Sequence, residues 1–201
     1  MPLAHRKRLD FFINQLHYRT IMTVRDILIA PDPNLKKRAE PVGHVDDEVL
    51  ALMDDLMETM IAGDGIGLAA PQVDVLKRVL VISLPNRVDE TPGEKLMIAD
   101  PEIIETGNDC SIYEEGCLSL PEQFAEVERP SCIRFRYRNE NDEVVEREVD
   151  GILATCVQHE IDHLNGVLFV DHISAIKRSV ILRRLAKAKR KGELQDARIL
   201  K

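Results

Sequence analysis

The sequence predicts an α+β fold in which antiparallel sheets pack around a central helix that carries a His-Glu-x-x-His motif. A further helix is expected towards the N-terminus and a basic helix at the C-terminus. Apolar residues recur at spacings of three and four in these helical segments, as on one face of a helix. Short apolar or alternating runs of strand length lie between the first two helices, which is the segregated order typical of α+β proteins.

Each of the three predicted helices has a recognisable start or stop. The first covers residues 46–62 and ends at a Gly-Asp-Gly turn. The central helix covers residues 151–165 and ends before Gly166. The last begins after a cap at Asp171 or Ser174 and runs to about residue 190.

The predicted strands are residues 78–83, 95–99, 103–104, 131–138 and 144–149. In the fourth run Ile133, Phe135 and Tyr137 alternate with arginines, and this period of two indicates a half-buried antiparallel strand. Turn residues at 139–142 connect it to the fifth run as a hairpin.

The composition is that of one compact domain with a tail. The chain has 201 residues, of which 44% are hydrophobic and 31% charged. No apolar run approaches the roughly 20 residues that span a bilayer, so no membrane segment is expected. The four cysteines form no CxxC pair, which favours reduced thiols in a cytoplasm over a disulfide framework or a zinc ribbon. A bacterial cytosol and an organelle both fit.

The distribution of charge along the chain helps to divide it into three segments. The net charge of −8 argues against specific DNA binding, yet residues 173–201 contain ten basic residues and two acidic ones. We expect a catalytic domain at 23–172 and a basic helix with a tail at 173–201. Residues 1–22 are a disordered or weakly helical extension, a remnant of a targeting peptide, or sequence upstream of a true start at Met22.

The segment QHEIDH at residues 158–163 carries the strongest chemical signal. Two histidines four residues apart project from one face of a helix, so His159 and His163 can reach one metal ion, and Glu160 lies near that face. The alternative is a pair of surface or capping histidines. It is weaker because the motif is rare by chance and lies in a half-buried helix.

A catalytic site of the zinc type needs a third protein ligand. Metzincin proteases use a histidine six residues after the second one, but this chain has Phe169 there. His172 lies beyond a turn and is interpreted as a cap or a surface residue. Cys117, in EGCLS at residues 115–119, is a candidate thiolate ligand, although a lone cysteine is usually a small buried apolar residue.

The segment GIGLAAPQ at residues 65–72 adds a third element. Its two glycines allow close approach of the backbone to a bound chain, and Gln72 offers an amide donor. A phosphate-binding loop is disfavoured because no Lys-Ser/Thr follows and GxGxxG is absent.

Together, and in this order and spacing, these three segments resemble the signature motifs of peptide deformylases, from about Thr23 to the C-terminal helix. The resemblance implies removal of the formyl group from N-formylmethionine of newly made polypeptides. It implies that Cys117, His159 and His163 bind one divalent metal and that Glu160 is the acid/base.

The resemblance also implies further roles. Gln72 and the N–H of Leu118 would stabilise the oxyanion formed when a metal-bound hydroxide attacks, and Gly67 would hydrogen-bond the substrate backbone. The metal would be iron(II), with zinc, nickel or cobalt able to occupy the site, and the sequence leaves this choice open. The basic last helix would dock on the ribosome, with a merely solvated face as the alternative.

The pocket for methionine is expected to include Ile66, Ile152, Thr155 and Cys156, although each is explained equally well as a core residue. Phe124 is a departure from the family pattern, because many bacterial members have arginine there, and contacts to the substrate are expected to differ accordingly.

Two other functions stay open: a zincin-like endopeptidase, and an inactive relative that binds ribosomes.

Glu115 is expected to support the site, through an arginine that the sequence does not identify.

Overall fold

The structure is a computed structural model that describes residues 23–84 and 93–194. The predicted extension at 1–22 lies outside the described residues. Within these ranges the elements follow one another as α1 (Asp47–Ala62), β1 (Gly67–Ala69), β2 (Val79–Ser83), β3 (Lys95–Thr106), β4 (Cys110–Cys117), β5 (Leu120–Pro130), β6 (Cys132–Arg138), β7 (Val144–Asp150), α2 (Gly151–Leu164) and α3 (Ala175–Lys191). Short 3-10 helices cover Pro33–Lys36, Ala70–Val73 and Phe169–Asp171.

The strands form two sheets. The larger has the order β1-β2-β3-β6-β7, and β4 pairs with β5 as a separate hairpin. Every pair of these strands is antiparallel. The predicted α+β class with antiparallel sheets is therefore confirmed.

The larger sheet lies between α1 and α2. On β2, Val79 and Val81 pack in one apolar cluster with α1, whereas Leu80 and Ile82 pack in another with α2. Because both faces of β2 are covered, its sequence is continuously apolar instead of alternating. This packing fixes α2 on one side of the sheet and leaves its opposite face for the site.

Side chains cap the starts of α1 and α3, whereas α2 begins after Asp150 without a side-chain cap. The carboxylate of Asp46 accepts the N–H of Val49 at 2.9 Å, which starts α1. The hydroxyl of Ser174 accepts the N–H of Lys177 at 3.4 Å at the start of α3. Helix α3 then packs through Ile181 and Leu185 into an apolar cluster with the last 3-10 helix and with Leu120 and Val127 of β5.

The structure differs from the expected strands in three places. The two predicted runs at 95–99 and 103–104 are one strand, β3, with bulges. The glycine-rich segment contains the short strand β1, and β4–β5 was not predicted. The hairpin escaped prediction because charged residues occupy both its faces, so no apolar period of two marks it.

Among the described helices, none has the length and apolar character needed to cross a membrane. The predicted division of the chain at residue 172 stays a prediction.

Candidate metal centre and active site

Helix α2 presents two imidazoles to one point. His159 and His163 lie one turn apart, and their ring centroids are 5.0 Å apart in an edge arrangement. Both side chains are buried, as is Glu160 between them in sequence. The face of α2 that is turned away from the large sheet therefore carries buried polar side chains.

Cys117 reaches the same point from the end of β4. A bulge between Gly116 and Cys117 breaks the pairing with β5, and Sγ of Cys117 lies 3.2 Å from Nε2 of His163. Ligand atoms of Cys117, His159 and His163 all lie within 4.8 Å of one another. Donor atoms around a four-coordinate metal lie about 3–4 Å apart, so these side chains need little movement to share an ion.

A carboxylate and an arginine hold His159 in place. Its Nδ1 lies 2.8 Å from Oε2 of Glu115, which leaves Nε2 for a ligand. Arg129 donates to both oxygens of Glu115, at 2.6 and 3.1 Å, and to Asp162 at 2.8 Å. Arg129 is the arginine that the sequence left unidentified, and Asp162 is a partner that sequence reasoning missed. His172 is not in the donor group and contacts Asp162 at 2.7 Å.

The buried Glu115 remains ionised because of these partners. Burial by itself raises the pKa of Glu115, but the hydrogen bonds from His159 and Arg129 outweigh it and lower the pKa to about 2. A permanent carboxylate behind His159 fixes the ring nitrogen that carries the proton.

The donor set fits a divalent transition metal. Burial lowers the pKa of His159, but the Cys117 sulfur and Glu115 raise it well above its ordinary value. The same surplus of negative charge favours a metal cation at Nε2. Burial lowers the pKa of His163 well below its ordinary value, and a neutral imidazole is the form that binds metal.

Glu160 lies against the backbone of β1. A Cβ at Gly67 would overlap Oε1 of Glu160 and lie 2.9 Å from its Cδ, so any other residue there would displace the Glu160 side chain. The other oxygen, Oε2, is buried and has no hydrogen-bond partner in the described part of the chain. Burial raises the pKa of Glu160 to about 7, which places its proton exchange near neutrality.

The amide of Gln72 has a fixed orientation. Its Oε1 accepts the N–H of Ala69 at 2.8 Å, so its NH2 group must face the site. Nε2 lies 3.4 Å from Sγ of Cys117 and 3.1 Å from Oγ of Ser119. Gln72 therefore offers a preoriented N–H donor beside the candidate metal ligands.

A cavity of about 540 Å³ leads to these groups. Its floor includes the buried residues Thr155, Cys156, His159 and Glu160. Its mouth consists of the exposed residues Asp64, Ile66, Tyr113, Glu114, Glu122, Phe124 and Ile152. All four residues predicted for the methionine pocket thus line this cavity, as do Gly67, Gln72, Cys117 and Leu118.

Phe169 and Cys156 rule out two other kinds of chemistry at the floor: a third histidine ligand and a cysteine nucleophile. The ring of Phe169 is stacked against His159 with centroids 6.4 Å apart, so an apolar wall stands where metzincins have a histidine. Burial raises the pKa of the Cys156 thiol to about 12, which keeps it protonated and unsuited to act as a nucleophile.

A half-buried cysteine and two buried histidines beside a glutamic acid, on an α+β framework with an open cavity, are typical of mononuclear metallohydrolases. The chain belongs to the polypeptide deformylase family, whose model matches residues 24–179.

Similar proteins support the assignment along most of the chain. It is 48% identical over 166 residues to a peptide deformylase of Phenylobacterium zucineum, covering 83% of this chain and 97% of that protein. The crystal structure of an Ehrlichia chaffeensis peptide deformylase matches with a TM-score of 0.81 and 36% identity, covering 86% and 100% of the two chains. A Met-Ala-Ser-bound peptide deformylase from Acinetobacter baumannii matches with a TM-score of 0.71 and 36% identity, covering 76% and 100%.

Proposed function

We propose that this protein removes the formyl group from N-formylmethionine at the start of newly synthesised polypeptides, with one divalent metal held by Cys117, His159 and His163. The observation that carries the proposal is the convergence of these three donors beside the unpartnered Oε2 of Glu160, at the floor of a cavity. The Met-Ala-Ser bound to a relative is the tripeptide that deformylation of formyl-Met-Ala-Ser would leave.

The metal site belongs to the helix that carries the His-Glu-x-x-His motif, with the large sheet on one side and the β4–β5 hairpin on the other. A divalent ion there supplies a Lewis acid that polarises the formyl carbonyl and activates water near neutral pH. Two imidazoles and a thiolate suit zinc, nickel or cobalt, and the family resemblance favours iron(II).

Glu160 moves the proton in this proposal. Its carboxylate Oε2 takes a proton from the attacking water, whose oxygen bonds to the formyl carbon. When the bond between that carbon and the amine nitrogen breaks, Glu160 gives the proton to the nitrogen. The products are formate and a peptide with a free α-amine.

Gln72 and Leu118 stabilise the negative charge on the formyl oxygen. The Nε2 of Gln72 is oriented before substrate arrives, because its carbonyl is held by Ala69. The peptide N–H of Leu118, which follows Cys117 directly in the chain and lines the cavity, is the second donor. Loss of one such donor typically lowers the rate about 100- to 1000-fold.

The free edge of β1 binds the substrate backbone. Ser83 donates to the carbonyl of Ile66 at 3.0 Å within the sheet, whereas the N–H of Ala69 turns away from β2 towards Gln72. Because backbone groups alternate along a strand, Gly67 presents its N–H and C=O on that outer edge as well. An extended peptide can pair with it by strand addition.

The methionine side chain lies against Ile66, Ile152, Thr155 and Cys156. These residues offer an apolar surface with one hydroxyl and one protonated thiol, and the cavity has the volume of a small-ligand site.

The exposed basic face of α3 binds the ribosome in the compartment where formylmethionine starts translation, a bacterial cytoplasm or an organelle. Ile181 and Leu185 anchor the helix, while Arg183, Lys187 and Arg190 are exposed. The triple variant with glutamine at these positions is expected to co-sediment less with 70S ribosomes. Unchanged co-sedimentation contradicts this part of the proposal.

The test of the function is formate release. Protein purified without oxygen is analysed for metal and incubated with formyl-Met-Ala-Ser, and we expect stoichiometric formate and Met-Ala-Ser. Cys117→Ser is expected to lose both metal and turnover. Cys110→Ser is the matched control, because this cysteine is exposed and outside the donor group.

The other candidate functions give different outcomes in the same assay. Cleavage inside an unblocked peptide would identify an endopeptidase. A metal-loaded protein that releases no formate would identify an inactive relative.

A further inference from the structure

One carboxylate oxygen of Asp162 joins the interior of the site to the surface of the protein. This oxygen, Oδ2, accepts a hydrogen bond from Nη1 of Arg129 at 2.8 Å and lies 2.7 Å from Nε2 of His172. An ionised carboxylate offers only acceptors, so Nε2 of His172 is the donor. Arg129 uses its other nitrogens to hold Glu115, which in turn holds the ring of His159. A continuous series of hydrogen bonds therefore runs from His172 to a metal ligand.

Exposure to solvent falls from the outer to the inner end of this series. The side chain of His172 is 35% exposed, that of Asp162 21% and that of Arg129 5%. Of the two carboxylates that Arg129 binds, Glu115 is buried, whereas Asp162 is within reach of water. Water competes for the hydrogen bonds of such a carboxylate, so Asp162 needs a second protein partner to keep one orientation. His172 is that partner.

The 3-10 helix Phe169–Asp171 fixes the position of His172. The peptide N–H of His172 donates to the carbonyl of Phe169 at 3.1 Å, which closes the turn. The ring of Phe169 is stacked against His159. This short segment therefore contacts α2 at two points, the ring of His159 and the carboxylate of Asp162. A side chain that extends from a fixed segment can hold its partner in one geometry.

We propose that His172 is a positioning residue for the metal centre. It holds Asp162 in the orientation that binds Arg129, and Arg129 keeps Glu115 against the ring of His159. The inference rests on the proposed function, because it requires a metal ion at that ring. His172 itself is not in the donor group and does not line the cavity. Its effect must therefore pass through the other members of the series.

The first test compares the zinc affinity of three variants at position 172. His172→Ala removes the donor, His172→Phe keeps a ring beside Asp162 without a donor, and His172→Gln keeps an N–H donor at a similar reach. Loss of a residue that orients a metal-binding histidine typically lowers metal affinity about 10- to 100-fold. Because His172 acts through other residues, we expect a fall of about three- to tenfold for the alanine and phenylalanine variants, measured against a competing chelator. His172→Gln should restore the affinity.

Two further measurements separate positioning from a merely structural role. With cobalt(II) in the site, the visible absorption bands report the geometry of the ligands, and we expect His172→Ala and His172→Phe to shift them. In the same cobalt-loaded proteins, kcat for formyl-Met-Ala-Ser should fall with no change in KM, because every residue that lines the cavity is kept. A loss of stability alone would leave both the spectrum and kcat of the folded, loaded protein unchanged.

The route through Asp162 is tested by combining variants. In the Asp162→Ala background His172 has no partner, so the addition of His172→Ala is expected to change zinc affinity less than about twofold further. His44→Ala is the matched control, because His44 also lies beside an aspartate, at 3.6 Å from Asp46, but is outside the cavity and the donor group. It should keep the zinc affinity, the cobalt spectrum and kcat of the unmodified protein.

Unchanged zinc affinity, cobalt spectrum and kcat in His172→Ala would overturn the inference. Equal behaviour of the phenylalanine and glutamine variants, or a full effect of His172→Ala in the Asp162→Ala background, would do so too. Each of these results leaves deformylation intact. Absence of formate from the unmodified protein purified without oxygen is instead a failure of the proposed function, and the zinc and cobalt measurements then still decide the role of His172.

Discussion

The floor and the mouth of the cavity differ in how their side chains are held. At the floor, His159 is tied through Glu115 to Arg129, and the last two are 6% and 5% exposed. At the mouth, Phe124 and the acidic side chains are exposed, and the carboxylates have no ion-pair partners among the described residues.

This difference separates two tasks. Chemistry needs groups held to within a fraction of an ångström, which buried and fully bonded networks provide. Choice among many peptides needs only a favourable field and an adaptable apolar surface. We therefore expect floor variants to lower kcat or metal affinity strongly, and mouth variants to change KM weakly.

The largest effect is expected for Glu160→Gln, which keeps the shape of the side chain and removes its proton transfer. We expect kcat to fall about 100- to 10,000-fold with full metal content, measured by formate release and metal analysis. Near-normal turnover in the metal-loaded variant would contradict the acid/base role of Glu160.

Gly67→Ala is expected to have the next largest effect. The added Cβ would overlap Oε1 of Glu160 and displace the carboxylate, and a shift of about 1 Å can lower the rate about 100-fold. Gly107→Ala is the control, because a Cβ there meets its nearest atom at 3.4 Å, an ordinary contact. Equal rates for the two alanine variants would show that Gly67 does not set the position of Glu160.

Arg129→Gln tests the buried network directly. The variant leaves Glu115 buried without its cation, so we expect a loss of about 3–5 kcal/mol in the free energy of unfolding. Metal affinity, measured against a competing chelator, should fall about 10- to 100-fold because His159 loses its fixed partner.

The control for Arg129 is an exposed ion pair. Arg134→Gln breaks the pair with Glu105, in which both side chains are about half exposed, and should cost less than about 1 kcal/mol. Similar losses in the two variants would mean that burial of the Arg129 network has no special importance.

The same comparison explains what the sequence could predict. The helices and most strands of the large sheet were predictable, because burial of one face leaves an apolar period and burial of both faces of β2 leaves a continuous apolar run. The hairpin was not, because its inner face carries Glu115 and Arg129, which are buried as an ion pair and look like surface residues in a sequence. Strand β1 has three residues, too few for any period to appear.

At the site, local patterns suggested single residues but not their partners. His159 and His163 lie on one helix, so their position on a common face could be predicted from their spacing in the sequence. Arg129 and Asp162 act together only through contacts between distant segments, on the hairpin and on α2. The one available signal was that Arg129 continues the alternation of Ala125 and Val127, and a charged residue in that position also fits an exposed strand.

The smallest effect is expected for Ile152→Ala at the mouth. Ile152 is 36% exposed, so the variant removes only part of an apolar contact to the methionine side chain, worth about 1 kcal/mol. We expect KM for formyl-Met-Ala-Ser to rise about three- to tenfold at constant kcat, measured by initial rates of formate release. Ile176→Ala on α3, 79% exposed and outside the cavity, should leave KM unchanged. A 100-fold fall in kcat for Ile152→Ala would instead mean that the mouth positions the reacting atoms, and the separation between floor and mouth would be wrong.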